Sequence, residues 1–125
     1  MNRLAIVSLI MLAVLACGRK VPDDKTLFEQ GQQYEGSQKY SKAFDSYATL
    51  IDHYPQSPLR YKALFMAGYV QFEYLKDQKK AISFFDRLLK EYPDCDLADD
   101  AKVISAAVSS GKDLMSVFED SVRAK

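Results

Sequence analysis

The sequence predicts an all-α chain, a short solenoid of antiparallel helix pairs with two full repeats and a partial third. Two observations carry this. One stretch occurs twice: YSKAFDSYATLIDHYPQSPLRYKA from Tyr40 and QKKAISFFDRLLKEYPDCDLADDA from Gln78 superpose at an offset of 38 positions. Ala43 then meets Ala81, Tyr47 meets Phe85, Leu50 meets Leu88, Tyr54-Pro55 meets Tyr92-Pro93, and Leu59 meets Leu97. Self-similarity at a fixed period marks a repeat protein, whose units bury their apolar faces only against neighbours. Secondly, apolar residues within each copy recur at helical spacing, as at Tyr40, Ala43, Phe44, Tyr47, Leu50 and Ile51.

Taken in order, the chain opens with a segment that is not part of the domain. Arg3 supplies a positive start, Leu4 to Ala16 is apolar apart from Ser8, and Cys17 follows. An apolar run of this length is too short to span a bilayer and suits a signal peptide, here residues 1–16. Val14-Leu15-Ala16-Cys17 resembles the lipobox of bacterial lipoproteins, with valine where leucine is commonest and leucine where a smaller residue is usual. The resemblance implies a diacylglycerol thioether and an N-terminal acyl chain on Cys17, with no other cofactor. Several acyl chains anchor a protein far more firmly than one. Gly18 stands where an inner-membrane retention aspartate would, so the resemblance implies the periplasmic face of the outer membrane.

Residues 17–24 then form a short polar tether, and 25–125 the repeat domain. Asp23 or Asp24 offers a cap for a first helix over roughly 25–36, which Gly36-Ser37 breaks. The first duplicated helix runs over roughly 38–53 and stops before Pro55. Ser57-Pro58 reads as the start of a long helix to Leu75, apolar on more than one face and therefore contacted on two sides. Asp77 caps the second duplicated helix, roughly 78–92. Asp94 and Asp96 are candidate caps for a helix reaching Ser110, with Gly111 at its end. Leu114, Val117, Phe118 and Val122 mark a short last helix, roughly 113–123, as the solenoid's cap.

The order Gly31, Tyr34, Tyr40, Ala43, Tyr47 and Pro55, at these spacings, resembles a tetratricopeptide repeat. Gly68, Ala81, Phe85, Leu88 and Pro93 give a second, and the resemblance covers residues 24–101. One extra residue lies between Gly68 and Ala81, so the aromatic expected after the glycine falls at Phe72, with Gln71 in its usual place. The family implies a groove lined by the first helix of each repeat. Carried over, this gives Lys25, Phe28, Gln32 and Glu35, then Lys62, Phe65, Tyr69 and Phe72. Phe65 and Phe72 are equally core candidates, leaving Lys62 and Tyr69 as the more exposed pair. Aromatic rings beside a lysine suit a peptide ligand.

Composition and motifs narrow the function. Lys+Arg and Asp+Glu both number 17, so no net charge draws the chain to nucleic acid. Lys76, Lys79 and Lys80 read as a solvated turn. His53 is the one histidine and sits at a helix end, and no catalytic triad, H-E-x-x-H motif, Walker loop or dinucleotide fingerprint occurs. Adjacent Asp99 and Asp100 point in different directions on a helix. The expectation is a non-enzyme without a metal or a small-molecule substrate. With Cys17 consumed by lipid, Cys95 is either a helix-corner residue or an intermolecular thiol. A lipid-anchored N-terminus joined to HYPQSP and EYPDCD repeats resembles BamD-like outer-membrane-assembly lipoproteins and Tol–Pal-associated periplasmic repeat proteins. That implies an envelope scaffold for proteins or peptides, held to the membrane by its lipid. The alternative is a carrier of lipid or another small ligand between the helices.

Overall fold

The computed structural model describes Gly18, residues 20–112 and residues 114–123, and within that range the chain is helical with no strand. The predicted signal segment, Cys17 and the side chains of Leu114, Val117 and Phe118 lie outside the described residues. Six helices follow one another: α1 (Asp24–Gly36), α2 (Tyr40–His53), α3 (Arg60–Glu73), α4 (Gln78–Glu91), α5 (Ala98–Ser110) and α6 (Leu114–Arg123). Each packs chiefly on its neighbours in sequence, which is solenoid stacking. α3 meets both α2 and α4, as its two apolar faces require.

The core is one continuous seam. Ala43, Tyr47 and Leu50 from α2 and Ala81, Phe85 and Leu88 from α4 are all fully buried, so the duplicated positions carry the packing. Two glycines set how closely the helices approach. A Cβ on Gly31 would stand 2.4 Å from Tyr47 Cε1, and one on Gly68 would stand 3.0 Å from the Phe85 ring. In each helix pair the ring of the second helix lies where the first helix has no side chain.

Several helix ends differ from the sequence expectation. Asp23, not Asp24, caps α1: its carboxylate accepts from the Thr26 N–H at 2.9 Å. Asp24 belongs to the first turn of α1, not to a free tether, and its carboxylate accepts a hydrogen bond from Ser57 Oγ. The Tyr54 hydroxyl donates to the Pro22 carbonyl at 2.8 Å, so the end of the predicted tether is fixed to the α2–α3 turn. α3 begins at Arg60, three residues beyond the expected cap, because Ser57 and Pro58 form a backbone-closed turn. Its cap position is Leu59, with no side-chain cap bond. The same holds for α5, capped by neither Asp94 nor Asp96 but preceded by Leu97. Asp77 does cap α4, accepting from the Lys80 N–H at 3.0 Å. Gly111 ends α5 in the left-handed region, at φ 64°.

The extra residue of the second repeat is a turn insertion. In the first turn the Lys39 N–H bonds the Tyr34 carbonyl at 2.8 Å; in the second the Asp77 N–H bonds the Gln71 carbonyl at 2.9 Å. Both turns carry one non-glycine residue at positive φ, Gln38 at 58° and Lys76 at 57°. The insertion therefore falls after Gln71, which is buried in Tyr34's place. Phe72 is not the displaced aromatic.

The two glycine contacts predict different responses to the same substitution. Helix propensity alone favours alanine by about 1 kcal/mol, and overpacking opposes it by about 1–3 kcal/mol. Gly31→Ala, with the tighter clash, should lower stability by about 2 kcal/mol, while Gly68→Ala should stay within about 1 kcal/mol of the parent. Urea denaturation followed by circular dichroism measures both, and equal effects would refute the ring-on-glycine account.

Candidate functional site

The groove positions carried over from the family form one strip on α1 and one on α3. On α1, Lys25 and Gln32 are exposed, while Phe28 and Glu35 are half-buried. On α3, Lys62, Phe65, Tyr69 and Phe72 are all half-buried. Burial raises the Tyr69 phenol, and the charges of Glu73 and Glu35 add to that shift. Lys25 lies 3.9 Å from Glu29, and the Lys62 ammonium sits 5.7 Å from the Tyr61 ring centre.

Several of these residues belong to the core as much as to the surface. The Phe28 ring lies 5.5 Å from Tyr47, and the Phe65 ring lies 5.7 Å from Phe85. These are the same contact made once per repeat. Glu35 accepts a hydrogen bond of 2.6 Å from the buried Tyr47 hydroxyl. Burial holds the Glu35 carboxyl above its ordinary range, with the Tyr47 bond working against that shift. Burial and then the Glu35 carboxylate push the Tyr47 phenol well above its own. Phe72 packs against the core cluster, as do Phe65 and Tyr69.

Sequence reasoning missed two features. The Tyr40 and Tyr74 rings stack face to face, 3.9 Å apart and 4° from parallel, and Tyr69 meets Tyr74 edge-on at 6.1 Å. Tyr74 stands just past the end of α3, and the fold brings it to Tyr40. The second feature is Arg60, only 9% exposed. Its Nε donates to the Ile51 carbonyl at 3.0 Å, and its guanidinium pairs with Glu91 and reaches the Tyr92 hydroxyl. The bond to Arg60 holds the Glu91 carboxyl below its ordinary range. Arg60 has no counterpart at the repeat spacing, so nothing periodic signals it.

The turn geometry, the paired glycines and the duplicated seam together define the repeat. The tetratricopeptide repeat profile matches residues 25–57 and again 62–94. The chain belongs to the tetratricopeptide repeat family. No curated protein and no solved structure matched it. Tetratricopeptide repeats present helical surfaces to other proteins, and this chain is a protein-interaction scaffold of that kind. Among the described residues, no group of histidine, cysteine and carboxylate side chains is placed to hold a metal. His53 is exposed at the end of α2. Asp99 is engaged by Lys102 at 3.1 Å, and Cys95 sits half-buried and free in the turn before α5.

The Glu35–Tyr47 pair gives a pH signature. A carboxyl raised by folding contributes stability that is fully present below its unfolded pKa and is lost as pH rises through its folded value. At neutral pH the ionised Glu35 therefore weighs against the fold, and glutamine can still accept the Tyr47 bond. Glu35→Gln should match or exceed the parent at pH 7, by less than about 1 kcal/mol because the group is half-exposed and screened by water. The difference should shrink as pH falls toward 4. Tyr47→Phe should cost about 1 kcal/mol through the lost bond. Thermal melts across pH 4–8 test both, and a Glu35→Gln variant clearly weaker at pH 7 would overturn this reading.

Proposed function

We propose that the chain is a lipid-anchored scaffold at the periplasmic face of the bacterial outer membrane, binding a partner protein along the α1–α3 strip. The observation that carries partner binding is the strip itself, where half-buried Phe65, Tyr69 and Phe72 stand beside Lys62 and across from the polar Gln32 and Glu35. Rings already held by core contacts offer apolar area with little entropy left to lose on binding. Of the assigned groove residues, Lys25, Gln32, Lys62 and Tyr69 are the direct contacts in this reading. Phe28, Glu35, Phe65 and Phe72 shape the strip from beneath.

Support for the location comes from the sequence: an apolar segment ending in Ala16-Cys17, followed by Gly18. In this reading acyl chains on Cys17 hold the protein to the membrane. No helix among the described residues is long and apolar enough to cross a membrane. A part in outer-membrane protein assembly, as in BamD-like lipoproteins, extends the same reading, and catalysis has no place in it. A carrier function is less well supported, because the concavity of about 400 Å³ between Lys20, Gln30, Lys42 and Thr49 lies open at the surface.

The test is metabolic labelling with a palmitate analogue. Parent protein should be labelled, partition into detergent and resist extraction by high salt. Cys17→Ala should lose the label and either persist as an uncleaved precursor or be released. Label that survives in Cys17→Ala, or is missing from the parent, would end the lipoprotein reading and the location with it.

A further inference from the structure

One end of the α1–α3 strip carries an unbalanced set of groups. α1 and α3 both finish there, at Gly36 and Glu73, and neither has a basic residue in its last turn. Helix C-termini carry partial negative charge and are stabilised by cations. These two have Glu35 and Glu73 instead; Glu35 already accepts the Tyr47 hydroxyl bond, which leaves Glu73 as the open carboxylate. Three phenol rings adjoin them: Tyr69 lies one helical turn before Glu73, Tyr74 follows it, and Tyr40 stacks on Tyr74. Tyr74 is 38% exposed, and Tyr40 and Tyr69 are half-buried.

No ion pair reaches either glutamate among the described residues, and no lysine or arginine lies over Tyr40, Tyr69 or Tyr74. The nearest basic residues in sequence are engaged elsewhere or stand in the turns. Lys42 lies 5.8 Å from the Tyr34 ring centre, while Lys39 and Lys76 are exposed. Both Tyr69 and Tyr74 are raised above the ordinary phenol range, by burial first and then by negative neighbours that include Glu35 and Glu73.

We infer that this end of the strip receives an arginine side chain of the protein partner. The inference rests on the proposed use of the α1–α3 strip and names the chemistry that the partner must bring. A guanidinium is planar, stacks on aromatic faces and forks onto a carboxylate, so it answers the rings and Glu73 together. It also supplies the cation that both helix ends lack.

The experiment uses the full chain in uncharged detergent and two probes, acetyl-Ala-Ala-Arg-Ala-Ala-amide and the same peptide with citrulline for arginine. Citrulline keeps the shape and removes the charge. Titrations are followed by NMR of the tyrosine ring and α1–α3 backbone signals. The arginine peptide should shift the Tyr69 and Tyr74 rings saturably and bind about tenfold more tightly than the citrulline peptide. Glu73→Gln and Tyr74→Leu should each weaken it severalfold, while Tyr74→Phe, which keeps the ring, should stay within about twofold. Equal binding of the two peptides along α1 and α3 would overturn the arginine site and leave the strip as a binding surface. Shifts absent from both helices would overturn the arginine site and the strip together.

Discussion

The contact on which this structure depends is an aromatic ring laid on a glycine. Tyr47 occupies the space that a Gly31 side chain would fill, and Phe85 does the same over Gly68. Interiors pack densely and tolerate few voids, so ring and glycine are a matched pair: neither fits without the other. The same ring also meets an aromatic of the first helix, Phe28 or Phe65. Both of these belong to the candidate binding strip. Surface and core are thus two sides of one layer of side chains, and the outline that a partner would meet is set by packing within the repeat.

What joins one repeat to the next is of another kind. Arg60 stands at the start of α3, where α2 has just ended and α4 will finish. It takes up the Ile51 carbonyl, one of those left without an intrahelical donor at the α2 terminus, and pairs with Glu91 at the far end of α4. A charge this buried is tolerated only when its hydrogen bonds are met. Both partners are supplied by helices that Arg60 does not belong to, so its bonds form only when three helices have reached their places. Apolar contacts are less particular about angle, and this node fixes the relation of the two repeats where the seam alone leaves latitude.

Helix number, helix order and the buried duplicated positions were legible in the sequence, because period, proline and apolar spacing are local signals. The starts of α1 and α4 were legible too, at Asp23 and Asp77, but those of α3 and α5 were not. Ser57 accepts only the Leu59 N–H within the turn before α3, Asp94 and Asp96 cap nothing, and the reason lies in the backbone. The Ser57 N–H bonds the Tyr54 carbonyl and the Arg60 N–H bonds the Ser57 carbonyl; Cys95, Tyr92 and Ala98 repeat the pattern. Two successive closed turns satisfy the chain and deliver an apolar residue, Leu59 or Leu97, to the cap position. Leu59 packs there against the core, which outweighs an exposed capping bond. The inserted residue was similarly visible by count and invisible by place, since only the Gln71–Asp77 bond locates it. Beside the strip, the pairing of Tyr40 with Tyr74 depends on the turn after α1 and the end of α3, and spacing within one helix does not reveal it.

The two repeats are alike in packing and unlike in what they show. Where α1 has Gln32 and Glu35, α3 has Tyr69 and Phe72. The substitution is coordinated with the layer below. Tyr47 has a hydroxyl that needs an acceptor and finds Glu35, whereas Phe85 has none and lies beneath an apolar surface. A buried phenol without a partner would be costly, so the tyrosine in the first repeat obliges an acceptor on α1. Phenylalanine in the second releases that position for an aromatic ring. The polar half and the aromatic half of the strip therefore follow from one hydroxyl group, present on Tyr47 and absent from Phe85. Two repeats alike in packing thereby show two chemically different sides.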